Sequence, residues 1–192
     1  MDNRKFRLKS NYSRLLADIA TPVSIYLKLR DKYANSILLE SSDYHAADNS
    51  FSYICCNPIA GFSLKKGLVS MYFPDGSERS IRLKARKDVI SLLSEFIQSF
   101  EPVKYNFNFI DNGLFGYIGY DAVEYFEDIN LMSESKPGYD IPEIQYTIYR
   151  NVIAINHFKS ELHLFDHQWI EDQKPNNIVE ITTIIESMNF PN

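Results

Sequence analysis

The sequence predicts an α+β fold with mostly antiparallel sheets and flanking helices, and three observations carry that reading. Alternating β-rich runs fill residues 51–83. Windows of helical periodicity stand before them, after them and at the end of the chain. The punctuation between runs is short, as in Lys66-Gly67 and Asp75-Gly76, and short turns join antiparallel neighbours.

Thr21-Pro22 opens the first helix, because Thr can cap and Pro fits the first helical position, where an N–H has no partner. Val23, Tyr26, Leu27 and Leu29 form its apolar stripe as far as Tyr33. Ser36-Ile37-Leu38-Leu39-Glu40-Ser41 reads as a short buried strand with a polar end. FSYICC, GFSLKK, LVSMYF and SERSIRL then read as four strands, the first two separated at Asn57-Pro58. The basic cluster from Arg82 to Lys87 flanks a helix start. Val89, Leu92, Leu93, Phe96 and Ile97 recur at helical spacing between Lys87 and Phe100. Residues 101–112 read as an irregular connection, and 113–120 as a strand. Residues 144–156 and 161–165 pair across His157-Phe158-Lys159-Ser160. Residues 175–188 close as a helix, with Ile178, Ile181, Ile184 and Ile185 on one side.

The 192 residues suit one large domain, with a core that buries about 70% of the unfolded surface. Twenty Lys and Arg against 25 Asp and Glu give a net charge of −5, which argues against a phosphate-backbone binder. The opening MDNRKFRLKSNYSR has no apolar signal region, and no run of about 18 apolar residues follows, so a cytoplasmic protein without membrane contact is expected.

Several residue types that often carry chemistry read here as structure. Cys55 and Cys56 are adjacent, so on a strand their side chains point to opposite faces and cannot bridge. They read as small apolar residues in a reducing compartment. His157, His163 and His167 lie near one hairpin but lack ligand spacing, and no metal site is expected. Gly113, Gly116 and Gly119 are not a dinucleotide fingerprint. They permit either close backbone approach or the approach of a ligand. The 13 Tyr and 13 Phe, with no basic groove beside them, read as core and interface material.

The acid ending an apolar strand, Leu38-Leu39-Glu40-Ser41-Ser42, is the strongest candidate site. A carboxylate beside buried positions must be solvated or paired. With adjacent hydroxyls it suits the ammonium group of a free amino acid, the carboxylate supplying charge and the hydroxyls direction.

At these residues the chain resembles the large subunit of anthranilate synthase, component I. Leu38-Leu39-Glu40-Ser41, followed by Asn49-Ser50-Phe51-Ser52-Tyr53-Ile54 and Asn57-Pro58, is similar to the family's LLES run and the strand after it. Thr21-Pro22-Val23-Ser24 resembles its TPVS helix. Gly113 to Asp121, with Phe126-Glu127, resembles its G-x-x-GY-x-x-YD segment. Pro142 and the hairpin of residues 151–164 continue the order, so the likeness covers most of residues 20–166.

The resemblance implies two β-sheets packed face to face with helices outside. It implies conversion of chorismate and ammonia to anthranilate and pyruvate with Mg²⁺, the ammonia coming from a glutamine amidotransferase subunit (component II). The family's chorismate- and Mg²⁺-binding residues belong to a long C-terminal region, so residues 1–192 read as an N-terminal segment that holds no catalytic residue or cofactor and is inactive alone. An uncovered sheet face implies self-association. What the segment can carry is a tryptophan feedback site: Glu40 and Ser41 match it, Ser52 matches within the following strand, and Leu39 is an apolar neighbour. Two rivals stand beside this reading: the related component I of aminodeoxychorismate synthase, and a free-standing amino-acid-binding module.

Overall fold

The computed structural model describes residues 5–17, 21–40, 50–127, 129 and 141–187. Along the chain these form β1 (Phe6–Leu16), α1 (Pro22–Lys32), β2 (Ile37–Glu40), β3 (Phe51–Lys65), β4 (Leu68–Tyr72), β5 (Glu78–Arg82) and α2 (Asp88–Gln98). Then follow β6 (Phe100–Glu101), β7 (Phe115–Ile118), a 3-10 turn (Tyr120–Tyr125), β8 (Ile144–Asn156), β9 (Glu161–Trp169) and α3 (Ile178–Glu186). The pairings β1 with β9, β2 with β3, β3 with β4, β4 with β5, β7 with β8 and β8 with β9 are all antiparallel, and the α+β class holds.

The strand read over 113–120 is shortened to Phe115–Ile118, Tyr120 opens the 3-10 turn instead, and the short β6 is new. Three further elements differ from the sequence reading. Strand β1 was not expected, because its polar run Lys9-Ser10-Asn11 hides the alternation. Pairing with β9 creates it, from Leu8 opposite Trp169 to Leu16 opposite Glu161. The same pairing carries β9 past Phe165 to Trp169. Asn57-Pro58 does not separate two strands: β3 runs through it, with Asn57 at φ 58°. Asn tolerates that left-handed conformation, and the missing N–H of Pro58 is tolerated at such an irregularity. The Asn57 Nδ2 donates to Asn151 Oδ1 at 2.7 Å, which holds the distortion in place.

The chain divides into two compact units, and β3 and β8 contribute residues to both. One unit comprises the described residues of Met1–Phe6, Ile59–Glu101 and Leu114–Ile148. Its strands follow the order β5-β4-β3-β8-β7. Lys66 at φ 49° and Gly67 at φ 72° form the tight turn from β3 to β4, and both positive values suit the twist of a hairpin. Helix α2 lays Val89 and Phe96 onto Phe62, Leu64, Val69 and Met71. Gly116 on β7 lies so close to β8 that a Cβ there would stand 1.9 Å from the Gln145 carbonyl oxygen. The close-approach reading of that glycine is correct.

The other unit comprises the described residues of Arg7–Pro58, Pro102–Gly113 and Tyr149–Asn192. Its strands follow the order β2-β3-β8-β9-β1. Helices α1 and α3 cover one face, burying Ile25, Leu29, Ile181 and Ile185 against Ile54, Ile153, Ile155, Leu162 and Leu164. As expected, Thr21 caps α1, its Oγ1 accepting from the Ser24 N–H at 3.1 Å. Lys32 at 2.8 Å and the Tyr33 hydroxyl at 2.6 Å both meet Glu180, which ties α1 to α3. On the opposite face the irregular segment 102–113 lays Tyr105, Phe107 and Phe109 against Tyr12, His163 and Phe165. Alternation along β9 produces this division, with Leu162 and Leu164 toward the helices and His163 and Phe165 toward the aromatic segment.

Candidate functional site

Glu40, the last residue of β2, stands directly opposite Ser52 of β3. Directly opposed residues of an antiparallel pair direct their side chains to the same face. That face also carries Ile54, which is packed in the core beneath the helices. Leu38 opposite Ile54 is apolar because it helps cover that core, whereas Glu40 lies at the exposed strand end. The structure therefore brings together two of the four residues singled out above. Ser41 lies outside the described residues. Leu39 is 39% exposed and, by alternation, belongs to the other face, opposite Tyr53.

Ser52 is only 1% exposed, and its hydroxyl meets Nε2 of His157 at 2.7 Å. A buried hydroxyl without a partner would cost about 1–3 kcal/mol, so the imidazole is what makes Ser52 tolerable there. His157 is exposed, and its backbone N–H donates to the Ser50 carbonyl at 3.1 Å. The turn behind it is closed by the Lys159 N–H donating to Asn156 Oδ1 at 2.9 Å and by Ser160 at φ 51°. Neither the Glu40 carboxylate nor His157 Nδ1 has a polar partner among the described residues. The sequence offers His157 only as one of three histidines near a hairpin, with 105 residues separating it from Ser52. No local pattern joins them.

The other reactive groups are engaged within the fold. His163 Nδ1 meets the Tyr12 hydroxyl at 2.9 Å, while His167 meets Ser10 Oγ at 2.7 Å and the Asp111 carbonyl at 2.9 Å. Burial lowers the pKa of both imidazoles. Cys55 and Cys56 are free and buried, and burial pushes the Cys56 thiol up to about 12 and Cys55 well above its ordinary value. Thiolate chemistry is thereby suppressed. Asp166, Arg150, Asn151 and Asn177 form a polar network beneath α3, with Asn151 Nδ2 donating to Asn177 Oδ1 at 2.7 Å and the Asn177 N–H to Asp166 at 3.2 Å. Among the described residues no group of three or more His, Cys, Asp or Glu is gathered to hold a metal ion. No helix among them is long and apolar enough to cross a membrane.

No protein-family model matches the chain. It is similar, however, to anthranilate synthase component 1 from several organisms. Identity is 25% over 147 residues with the Lactococcus lactis protein, covering 76% of this chain and 30% of that one. It is 30% over 152 residues with the Pseudomonas putida protein (77% and 29%) and 25% over 191 residues with the Leptospira biflexa protein (98% and 36%). The crystal structure of anthranilate synthase component I from Streptococcus pneumoniae TIGR4 superposes with a TM-score of 0.53 at 20% identity, over 95% of this chain and 38% of that one. The chain thus spans about a third of the length of the curated relatives it matches. The resemblance to component I read from the sequence stands, over that part of the family's length.

Proposed function

We propose that this chain is the regulatory and structural portion of an anthranilate synthase component I, with its likeness to that family in sequence and fold as the premise. In the proposed assembly the reaction of chorismate and ammonia belongs to further component I sequence, Mg²⁺ is used there, and a glutamine amidotransferase subunit supplies the ammonia. No step of that chemistry is assigned to the residues of this chain, and it is expected to make no anthranilate alone. In the same proposal a second sheet completes a two-sheet sandwich, and without that cover the chain self-associates. The setting is the cytoplasm.

The residues proposed to receive tryptophan are Leu39, Glu40, Ser41 and Ser52. The single observation that supports this most is the pairing of Glu40 with Ser52, which sets a carboxylate beside a hydroxyl at a strand end. The carboxylate meets the amino acid's ammonium, Ser41 bonds to its charged backbone atoms, and Leu39 supplies apolar surface from the other face of β2. Ser52, being buried, supports the site from beneath. The rival component I of aminodeoxychorismate synthase has no observation in its favour here, and neither does a free-standing module.

The test is a tryptophan inhibition curve on the full-length enzyme with its amidotransferase subunit. Hydrogen bonds to charged groups contribute about 1.5–3 kcal/mol, so Ser41→Ala is expected to weaken inhibition by about tenfold or more, and Glu40→Gln at least as much. Basal activity should be unchanged in both. Unchanged midpoints in both variants would overturn the assignment.

A further inference from the structure

The geometry around Ser52 points to a residue that the resemblance does not supply. Strand β2, strand β3 and the turn after β8 lie side by side, with Glu40 on the first, Ser52 on the second and His157 on the third. Neighbouring strands stand about 4.8 Å apart, so the outer two backbones are separated by roughly 10 Å, with the small Ser52 side chain between them. His157 directs its ring over the same face, since its Nε2 lies 2.7 Å from Ser52 Oγ. One ring nitrogen is thus anchored to a buried group, and the other has no polar partner among the described residues. Across Ser52 stands the exposed Glu40 carboxylate, likewise without a partner among them.

An exposed anion and an anchored imidazole, one on each side of a small residue, match the two charges of a free amino acid. We infer that His157 is the carboxylate-binding residue of the effector site, with Ser52 as its positioning residue and Glu40 as the ammonium-binding residue. This rests on the reading of Glu40 as part of an amino-acid site. Ser52 donates its hydroxyl proton to His157 Nε2, which places the ring proton on Nδ1, where it donates to the ligand carboxylate. The arrangement explains why a serine that solvent barely reaches can matter to a ligand. It acts by fixing the tautomer and direction of the imidazole.

The experiment is an NMR titration of the full 192-residue chain with L-tryptophan, with tryptamine, which lacks the carboxylate, and with indole-3-propionate, which lacks the ammonium. His157→Phe is expected to weaken L-tryptophan and indole-3-propionate by about tenfold and to leave tryptamine within twofold. Glu40→Gln should do the converse, weakening L-tryptophan and tryptamine only. His157→Gln, which can accept from Ser52 and donate to a carboxylate, should retain most of the affinity. Ser52→Ala should lose it in the pattern of His157→Phe. The spectrum of each free variant reports whether it folds, and His157→Gln covers the case in which Phe does not. If L-tryptophan binds neither this chain nor the full-length enzyme, in which the same titration is then run, the effector-site reading falls and this inference with it. If it binds, and His157→Phe either changes nothing or weakens all three ligands alike, the inference alone is overturned.

Discussion

Asp166 has no exposed surface, and Arg150 on the adjacent strand grips its carboxylate, Nε at 2.6 Å and Nη2 at 3.3 Å. Arg150 also donates to the Pro175 carbonyl, and Asp166 accepts from the Asn177 N–H, so the pair fixes the start of α3 on the sheet. The Asp166 lone pairs and the Arg150 fork are both used, which is the condition under which a buried ion pair is tolerable.

Removing one member should therefore be severe. Asp166→Asn leaves the guanidinium uncompensated in a site only 11% exposed, and breaking such a pair costs about 3–5 kcal/mol. For a chain of this length that corresponds to a fall in Tm of about 10 °C. Thermal unfolding followed by circular dichroism measures it. A double-mutant cycle with Arg150→Gln should give a coupling above about 1 kcal/mol. Additive losses would show that the two residues act separately.

Gly116→Ala should unfold the β7–β8 pairing, because the new Cβ would meet backbone, which cannot rotate aside as a side chain can. Gly119→Ala is the control, since its Cβ would lie 3.3 Å from the Glu143 carbonyl oxygen and needs a shift of only a few tenths of an ångström. Urea unfolding should place Gly116→Ala more than about 2 kcal/mol below Gly119→Ala. Equal midpoints would contradict the close approach.

The two buried imidazoles set a pH dependence. Burial is the largest influence on His163 and lowers its pKa, against an opposing pull from Glu161. Burial likewise lowers His167, against the Asp111 carbonyl. The folded state then binds fewer protons than the unfolded state below about pH 6.5, the ordinary imidazole value. Stability should be fully present above that pH and fall as pH drops through the folded values. Urea midpoints between pH 7.5 and pH 5 should decline, and the double substitution His163→Phe, His167→Gln should flatten the decline. A midpoint that rises on acidification would reverse the sign.

Local chemistry made much of this molecule readable. Thr21-Pro22 marks α1 because capping and proline geometry act within one turn. Lys66-Gly67 and Asp75-Gly76 mark hairpins because positive φ is a property of single residues. The stripe from Val89 to Ile97 marks α2 because the helix period is written in consecutive residues. Glu40 stood out for the same reason, as a charge at the end of an apolar run.

What the sequence could not determine depends on partners distant along the chain. The run FRLKSNYSRLL becomes a strand only because β9, some 150 residues later, supplies its hydrogen bonds. Asn57 reads as a break until Asn151 receives its amide. Asp166 and His167 look like ordinary polar residues at a strand end until α3 and the 102–113 segment bury them. His157 looks like any exposed turn residue until Ser52 holds its Nε2. Helix caps and turns are decided within a few residues, where the backbone itself brings the groups together. Strand pairing and buried polar networks are decided by loop closure and desolvation across the whole chain, and only the tertiary structure records their outcome.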